Sequence, residues 1–578
     1  MHSHTHPFFA RMKKSALTVL IVFITALSST AQITSPPNFS NLRAMAEWEE
    51  VQAITIAWTS FPAILKQIVA AARLETQVII LSDDVQGTED YLLSSNTGGA
   101  AFANLDNIVI VDANYDSIWL RDYAANPVYG NEVDSLVLVD WLYNRNRPND
   151  DTSPLYVADQ LNLDLYETSQ SPYDLVNTGG NYMSDGFGTA FASELVLEEN
   201  DGDGDYPIFY PTHTSNEIDN ILETFMGIHT YIKMPTLPYD GIHHIDMHMK
   251  LVDEETLLVS EYPTGVADGP QINANINYVL SNYQSKFGTP FRVVRIPAPP
   301  STQGNYPDNN GAYRTYTNAI FVNNSIIFPT YREQYDTTAM RIWGQVCPGY
   351  TLVGIDCDNT GNNIIAQSGA IHCITHTVGV ADPLLISHQP LSDTFDNLNP
   401  YFVSAYLNHR SGVDRATLYW RLNGATGFSA LDMVANGSNW EAYIPAQAIG
   451  SVIEYYIEGE SVSGKVQVRP MPAPVAFWSF EILGESVGLE EISAAKINRV
   501  YPNPASAITC IEVNSLRENY ASIILADFTG RVVATIHDGA LRRGESNFFF
   551  NAELFAPGVY QVVIQTKTKR QTMPVLVQ

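Results

Sequence analysis

The pattern of apolar residues changes type near Pro390, and that change limits the folds open to this chain. Before it, short strand-like apolar runs such as residues 51–57 and 320–328 alternate with helix-like runs such as residues 64–73. This alternation is typical of an α/β domain. After it the helical signal stops, and short strands such as residues 401–407 follow one another. The sequence therefore predicts an α/β domain followed by a β-sandwich.

Length and charge exclude several classes of protein. A chain of 578 residues is too long for one ordinary core, so we expect several domains. A content of 45% hydrophobic and 16% charged residues is that of a globular protein rather than a disordered one. The formal net charge of -31 repels nucleic acid and anionic membrane surfaces. The same field attracts cationic ligands such as arginine-bearing peptides.

The first 31 residues have the pattern of a signal peptide. Arg11, Lys13 and Lys14 precede the apolar residues 16–27, and small residues end at Ala31, ahead of Gln32. The apolar run is short for a bilayer span, and no later stretch comes closer to one. We therefore expect an exported protein without a transmembrane helix.

Four cysteines, Cys347, Cys357, Cys373 and Cys510, do not have the spacing of a disulfide framework. Between Cys347 and Cys357 the chain looks extended, and such a strand would hold their α-carbons roughly 33 Å apart. A tight hairpin could still join that pair, so the pairing stays open. Cys373 is interpreted as a free thiol.

Polar residues stand out in four stretches of otherwise apolar strands or tight loops, at residues 117–123, 178–186, 243–248 and 369–376. In the third, His244, Asp246 and His248 would share one face of an extended segment. A histidine beside a carboxylate suits general acid–base chemistry, and the same three residues could bind a metal. A plain surface or core role is equally open.

Cys373, in the fourth stretch, could be a buried structural thiol or a nucleophile. A reactive thiolate needs a cation or histidine nearby. His372 and His376 are near in sequence, and His244 is a candidate in space.

The four stretches, in this order, resemble the agmatine deiminase and Porphyromonas-type peptidyl-arginine deiminase family. The similar motifs are Trp119-x-Arg121-Asp122, Gly179-Gly180-Asn181, His244-Ile245-Asp246, Tyr316-Thr317-Asn318 and Gly369-Ala370-Ile371-His372-Cys373. The resemblance spans roughly residues 36–390. It implies a five-bladed α/β propeller, the pentein fold, with the active site on its central axis, and we assign residues 32–390 to this catalytic domain.

The resemblance also implies the chemistry, without metal or cofactor. Asp122 and Asp246 would grip a guanidinium by bidentate hydrogen bonds, which place its central carbon near the thiolate of Cys373. After attack by Cys373, His244 would protonate the departing ammonia and then activate water to hydrolyse the thiouronium. Asn318 would orient the substrate or the thiol.

Three further residues are predicted to line the substrate site: Trp119, Gly180 and Asn181. Arg121 is interpreted as a framework ion-pair partner.

The loop 143–151 bears on the choice of substrate. It contains Arg145 and Arg147, and resembles the carboxylate-binding loop of the bacterial peptidyl-arginine branch, which implies a clamp for the carboxylate of a C-terminal arginine. Agmatine has no carboxylate and would gain nothing from the pair. Solvated loop charge is the alternative interpretation. The acidic residues 201–205 could bind calcium, but they lack a distal bidentate glutamate.

The C-terminal third is predicted to hold an Ig-like β-sandwich at residues 391–483, a linker at 484–498 and a β-sandwich at 499–578. The last segment opens with Val500-Tyr501-Pro502-Asn503-Pro504-Ala505 and has a late strand with Gly558-Val559-Tyr560. Both features resemble the C-terminal sorting domain of the type IX secretion system. That resemblance implies that the secretion machinery is a partner, with location outside the cell or on the outer-membrane surface.

Together these observations predict a secreted peptidyl-arginine deiminase that acts on arginine-containing peptides or proteins. Agmatine deiminase or another small-guanidine hydrolase is the alternative on the same site. Metal-dependent hydrolysis through His244, Asp246 and His248, and a non-catalytic surface-binding protein, are alternatives of other classes.

Overall fold

The computed structural model describes residues 32–202, 211–484, 495–527, 531–566 and 570–578. The predicted signal peptide, residues 485–494 of the predicted linker and residues 203–205 of the acidic stretch lie outside the described residues. Among the described residues, no helix combines the length and the apolar character needed to cross a membrane.

Strands and helices alternate up to Val346, and strands predominate afterwards. The helices are α1 (Pro62–Ala72), α2 (Val85–Leu93), α3 (Leu120–Tyr123), α4 (Pro148–Leu161), α5 (Leu195–Glu198), α6 (Ser215–Met226), α7 (Asp268–Asn282) and α8 (Glu333–Val346). The strands of the same region are β1 (Gln32–Ile33), β2 (Leu42–Ala44), β3 (Val51–Ala57), β4 (Gln77–Ser82), β5 (Ile108–Asp112), β6 (Asn126–Gly130), β7 (Ser135–Tyr143), β8 (Leu165–Thr168), β9 (Val176–Asn177), β10 (Met183–Ser184), β11 (Thr189–Ser193), β12 (Thr230–Met234), β13 (Met249–Leu251), β14 (Thr256–Glu261), β15 (Arg292–Pro297), β16 (Ile320–Val322), β17 (Ser325–Thr330), β18 (Thr351–Asp356), β19 (His376–Gly379) and β20 (Leu385–His388).

Within the described residues, the strands up to β19 form five sheets with a common arrangement. In each, an antiparallel pair is extended by a parallel strand, and a helix lies in the crossover between the parallel strands, as parallel pairing requires. The repeated units are β6-β7-β8, β10-β11-β12, β13-β14-β15, β16-β17-β18 and β19-β3-β4. This repetition has no counterpart in a short sequence repeat.

The last unit joins the two ends of the α/β region. Strand β19 pairs antiparallel with β3, so that His376 lies opposite Thr55, more than 300 residues earlier in the chain. The first and last segments therefore share one sheet.

Burial explains why strands and helices form where they do. Strand β4 is buried along Val78–Leu81 because helices cover its sheet, and such strands read as continuous apolar runs. Helix α6 starts in a capping box between Thr214 and Glu217, and ends at Gly227, whose φ of 70° suits glycine. Its buried face carries Ile218, Ile221, Leu222, Phe225 and Met226.

Residues 320–328 were expected to be one strand, and that prediction is wrong. They form the hairpin β16–β17, which turns at Asn323 with a φ of 48°, a conformation that asparagine tolerates. The Asn323 side chain accepts a hydrogen bond from the amide of Val51 at 2.9 Å and donates one to its carbonyl at 3.1 Å. The turn thus anchors the start of β3.

After β20 the described chain contains only strands and one short 3₁₀ turn. The next eight strands are β21 (Tyr401–Asn408), β22 (Val413–Leu422), β23 (Ser429–Asp432), β24 (Val434–Asn436), β25 (Asn439–Ile444), β26 (Val452–Ser461), β27 (Val466–Arg469) and β28 (Trp478–Glu481). Strands β20, β21, β25 and β24 form one sheet and β23, β22, β26, β27 and β28 another. Both sheets contribute to one core, which includes Val403, Leu418 and Ile457. Strand β20 belongs to this pair of sheets, although it precedes residue 390.

The final strands are β29 (Ala495–Tyr501), β30 (Ile508–Ser515), β31 (Asn519–Asp527), β32 (Val532–Leu541), β33 (Gly544–Asn551), β34 (Gly558–Thr566) and β35 (Arg570–Val577). They form two antiparallel sheets around a core of their own. Arg542 bridges to Glu255 at 3.0 Å, which connects this segment to the α/β region.

Candidate active site

Five short turns, one ahead of each repeated unit, carry the residues that the sequence singled out. They are α3 ahead of β6, Gly179–Asn181 ahead of β10, Ile245–Met247 ahead of β13, residues 315–319 ahead of β16, and His372–Ile374 ahead of β19. Each turn thus occupies the same place in its unit. The contacts described below connect side chains and backbone from all five.

Cys373 lies in a hydrogen-bonded group with Asn318 and Asp246. The Asn318 side-chain amide donates to Cys373 Sγ at 3.1 Å and to Asp246 Oδ2 at 2.9 Å. Its Oδ1 accepts from the backbone amide of His372 at 2.9 Å, which fixes the orientation of the Asn318 side chain. Cys373 Sγ lies 3.5 Å from Asp246 Oδ2 and can donate its proton there.

The surroundings of Cys373 favour its protonated thiol over the thiolate. Burial raises the pKa of its thiol well above the ordinary value, and the negative charges of Asp246 and Asp122 raise it further. The amide of Asn318 acts in the opposite direction but does not prevail. A cation between the two carboxylates would offset their effect on the thiol.

His244 and Asp122 form the other half of the site. His244 Nδ1 lies 3.5 Å from Asp122 Oδ1, and its Nε2 lies 3.1 Å from Thr178 Oγ1. The amide of Gly180 donates to Asp122 Oδ1 at 3.3 Å. A β-carbon at Gly180 would overlap His244 Nδ1, so glycine is required for this close approach.

The two carboxylates differ in their electrostatic surroundings. Burial raises the pKa of Asp122, and the charge of Asp246 adds to that effect against His244 and Arg145. Burial would also raise the pKa of Asp246, but the hydrogen bond and charge of His372, with Lys250 behind it, lower it below the ordinary value. Asp246 is therefore the more firmly ionised of the two.

A buried ionic network supports Asp246 from behind. His372 lies between two carboxylates, with Nδ1 2.7 Å from Asp246 Oδ2 and Nε2 2.8 Å from Glu47 Oε1. Glu47 also pairs with Lys250 and lies 3.7 Å from Arg121. Burial opposes ionisation of Glu47, but its three cationic neighbours hold its pKa well below the ordinary range. The ion-pair role predicted for Arg121 agrees with this arrangement.

Trp119 and Asn181 have different surroundings. Trp119 is half-buried, and a β-carbon at Gly369 would collide with its ring, so the indole lies flush against the chain leading to Cys373. Asn181 is fully buried, and both polar atoms of its side chain are bonded to the backbone of Ser193, at 2.8 and 3.4 Å. These bonds hold the Asn181 side chain against the strand that contains Ser193.

Parallel pairing of β7 with β9 places the arginine-bearing loop near the site. Strand β7 pairs with β9, with Tyr143 opposite Asn177, so the loop after β7 and the turn at Gly179–Asn181 leave their sheet together. Arg145 is half-buried and lies close enough to act on the charge of Asp122. Arg147 instead donates to the Tyr143 hydroxyl at 3.1 Å.

The expectation of an extended segment at His244, Asp246 and His248 is wrong. Ile245–Met247 forms a 3₁₀ turn, so the three side chains do not share a strand face. His248 is buried with neither ring nitrogen hydrogen-bonded, and burial lowers its pKa to about 4. Among the described residues, no three His, Cys, Asp or Glu side chains form a group that could hold a metal ion.

The remaining thiol and histidine candidates lie elsewhere. Cys347 and Cys357 are both free and buried, so the disulfide left open by the sequence is not formed. His372 is turned toward Asp246 and Glu47, and its ring makes no hydrogen bond to Cys373. His376 is buried on β19, where burial lowers its pKa well below the ordinary value.

Three contributors to the site were missed by sequence reasoning: Glu47, Thr178 and Glu199. Glu47 is one of three acidic residues ahead of β3, a pattern that reads as surface charge. Thr178 precedes the glycine pair and looks like ordinary turn chemistry. Glu199 lies in an acidic run that suggested only calcium binding.

Two family profiles match the sequence of this chain. The profile of the family described as Porphyromonas-type peptidyl-arginine deiminase matches residues 43–378, which is more than half of the chain. The profile of the secretion system C-terminal sorting domain matches residues 499–578.

Curated relatives include a putative agmatine deiminase of Marinomonas sp. (strain MWYL1), 22% identical over 379 residues, covering 61% of this chain and 98% of the relative. Another, from Legionella pneumophila (strain Paris), is 26% identical over 288 residues, covering 46% and 75%. The solved agmatine deiminase of Enterococcus faecalis superposes with a TM-score of 0.50 at 16% identity, covering 60% of this chain and 99% of that one. At this identity, the structural likeness establishes the α/β fold.

The family match covers all five site turns, from α3 to Cys373. The chain therefore belongs to the Porphyromonas-type peptidyl-arginine deiminase family, as a hydrolase of guanidino groups whose type IX C-terminal sorting domain directs it to secretion and the outer-membrane surface.

Proposed function

We propose that this protein converts peptidyl-arginine, preferably at a peptide C-terminus, to citrulline and ammonia through a covalent intermediate on Cys373. The observation that carries this choice is Arg145. Arg145 is half-buried and its charge acts on Asp122, and no residue in the described part of the chain forms a hydrogen bond or salt bridge with its guanidinium. A free cation at that place suits the α-carboxylate of a C-terminal arginine.

The two carboxylates account for binding of the guanidinium. Asp122 and Asp246 both act on the charge of Cys373, one from each half of the site. A planar guanidinium held between them would present its central carbon to the sulfur. Burial and the two carboxylates raise the pKa of the thiol, and the positive charge of the substrate would offset the part due to the carboxylates, so substrate binding itself favours the thiolate.

The reaction then proceeds in two halves. The thiol proton passes to His244 as the sulfur bonds to the guanidinium carbon, giving a tetrahedral intermediate. That intermediate loses ammonia when its carbon–nitrogen bond breaks and His244 returns the proton to the leaving nitrogen. Water then adds to the thiouronium carbon and gives a proton to His244. Cleavage of the carbon–sulfur bond releases citrulline, His244 returns its proton to the sulfur to restore the thiol, and the remaining hydroxyl proton passes to solvent. Asn318 holds the sulfur in place throughout, through the contact of 3.1 Å.

We also propose that the five sheets close into a five-bladed propeller around this site. The contacts between the turns form a cycle: Asp122 to Gly180, Thr178 to His244, Asp246 to Asn318 and Asn318 to Cys373. Arg121 completes it, with Nε 3.4 Å from the His372 carbonyl. On this basis the catalytic domain runs from about residue 32 to 383, an Ig-like sandwich follows to about 483, and the sorting domain occupies 499–578.

Agmatine is the second candidate substrate, because the curated relatives cited above are putative agmatine deiminases. The deciding experiment measures turnover of a peptide ending in arginine, a peptide with internal arginine, and agmatine. We expect the highest kcat/KM for the first. Ammonia release from agmatine without citrulline from either peptide would overturn the proposed function.

A further inference from the structure

Glu199 is a buried carboxyl group beside the site that the reaction above does not use. It follows helix α5 and is 8% exposed. The side-chain amide of Asn144 donates to its Oε1. Its Oε2 is buried and has no hydrogen-bond partner among the residues that the structure describes. A buried oxygen without a hydrogen-bond partner costs free energy of folding, so Glu199 is an unusual group for a position that served only the fold.

The backbone around Glu199 is held in place. The next residue, Asn200, accepts a hydrogen bond from the Val176 amide at 3.0 Å, and donates to the carbonyls of Val176 and Val196 at 2.8 Å each. Val176 begins β9, which leads directly to the turn at Gly179–Asn181. Glu199 is therefore fixed relative to the guanidinium site.

The loop that carries Arg145 is held to Glu199 by the side chain of Asn144. Asn144 immediately precedes Arg145, so its bond to Glu199 determines where Arg145 can lie. Arg145, His244, Asp122 and Tyr231 are the charged and titratable groups that act on Glu199 or respond to it. Of these, Arg145 is the cation whose guanidinium has no hydrogen-bonded or ion-paired partner among the described residues.

On the basis of the peptidyl-arginine activity proposed above, we propose that Glu199 is a positioning residue for Arg145. Through Asn144 it holds the loop at the site, and when it ionises it competes with the substrate carboxylate for the Arg145 guanidinium. The preference for a C-terminal arginine would then depend on pH.

The direction follows from the charge state of Glu199. Burial raises its pKa to about 7, against the hydrogen bond from Asn144 and the charges of His244 and Arg145. Below this pH Glu199 is neutral, and Arg145 is available to the substrate. Above it the new carboxylate attracts Arg145, so the preference falls as pH rises. The α-carboxylate of the peptide stays ionised throughout this range.

The test compares two peptides that differ only at the C-terminal arginine, one with a free carboxylate and one amidated. The ratio of their kcat/KM values cancels the pH dependence of the chemical steps, which both peptides share. For the natural protein, we expect the ratio to fall by about tenfold between pH 6 and pH 8, the order of one charge-assisted hydrogen bond. Glu199→Gln keeps an acceptor for Asn144 but cannot ionise, so its ratio should stay constant with pH.

Two further variants sharpen the test. Glu198→Gln removes the adjacent acidic group, which is exposed, and should retain the natural pH dependence. Asn144→Ala should raise KM for the free-carboxylate peptide more than for the amidated one, because it releases the loop.

A ratio independent of pH in the natural protein, or an unchanged slope in Glu199→Gln, would overturn the role of Glu199 while leaving the proposed function intact. If neither peptide yields citrulline and agmatine is turned over, the proposed function fails, and the role of Glu199 fails with it.

Discussion

Replacing Arg145 with alanine tests the choice of substrate directly. In the structure, the Arg145 guanidinium has no hydrogen-bonded or ion-paired partner within the described residues, and its charge acts on Asp122. If it binds the substrate carboxylate, the lost charge-assisted hydrogen bond is worth about 1.5–3 kcal/mol. That energy corresponds to a loss of about 10- to 100-fold in kcat/KM for a peptide ending in arginine.

The matched control is Arg147→Ala, which removes the same charge from the same loop. Because Arg147 already donates to Tyr143 at 3.1 Å, we expect its loss to lower kcat/KM by less than about tenfold. Arg145→Lys should recover only part of the activity, since lysine lacks the planar fork of arginine.

The assay is citrulline release from free-carboxylate and amidated peptides, together with ammonia release from agmatine. Arg145→Ala should affect the first substrate strongly and the other two little. An equal loss on all three substrates would show that Arg145 supports the fold of the site. No loss on the free-carboxylate peptide would show that Arg145 does not select the substrate.

Other consequences follow from the same geometry. Cys373→Ser should lose turnover by about 10³-fold or more with normal folding by circular dichroism, because a serine alkoxide is far harder to form at neutral pH; retention of a tenth of the activity would contradict covalent catalysis. Glu47→Gln removes the ion-pair partner of Lys250 and leaves His372 with Asp246 alone, and should lower the free energy of unfolding at pH 7 by about 3–5 kcal/mol, measured by denaturant titration. Since the folded-state pKa of Glu47 is depressed, this difference should be full above about pH 5 and decline progressively as pH falls below the unfolded value near 4.3 toward the folded-state pKa; a difference that stays constant between pH 5 and pH 3 would refute the ionic role. Excess EDTA should leave kcat unchanged, and a loss restored by zinc or calcium would revive a metal-dependent mechanism.

Much of the secondary structure was predictable because it depends on local pattern. Strand β3 coincides with the run expected at residues 51–57, and α1 lies within one or two residues of the expected helix. A continuous apolar run indicates a buried strand, and apolar residues at helical spacing indicate a helix with one buried face. Both patterns can be read from residues that are neighbours in the chain. The hairpin at Asn323 was missed because both of its strands are apolar and the turn is only two residues long.

The identity of the reactive residues was available from motifs, but their working arrangement was not. Cys373, His244, Asp122, Asp246 and Asn318 were all named from short motifs, and the structure brings them together. Asn181 was named in the same way, and yet its polar atoms are bonded to Ser193. A motif identifies a residue, whereas the direction of its side chain depends on the elements that surround it.

By itself the sequence determined the class of fold, the change from α/β to all-β structure and the set of candidate side chains, since these depend on composition and on neighbours along the chain. Only the tertiary structure decided that His372 pairs with Glu47, and that Arg145 and Arg147 have different surroundings. It also decided that β19 completes the sheet begun by β3. These features arise from pairings between residues far apart in the chain, for which no local pattern carries a signal.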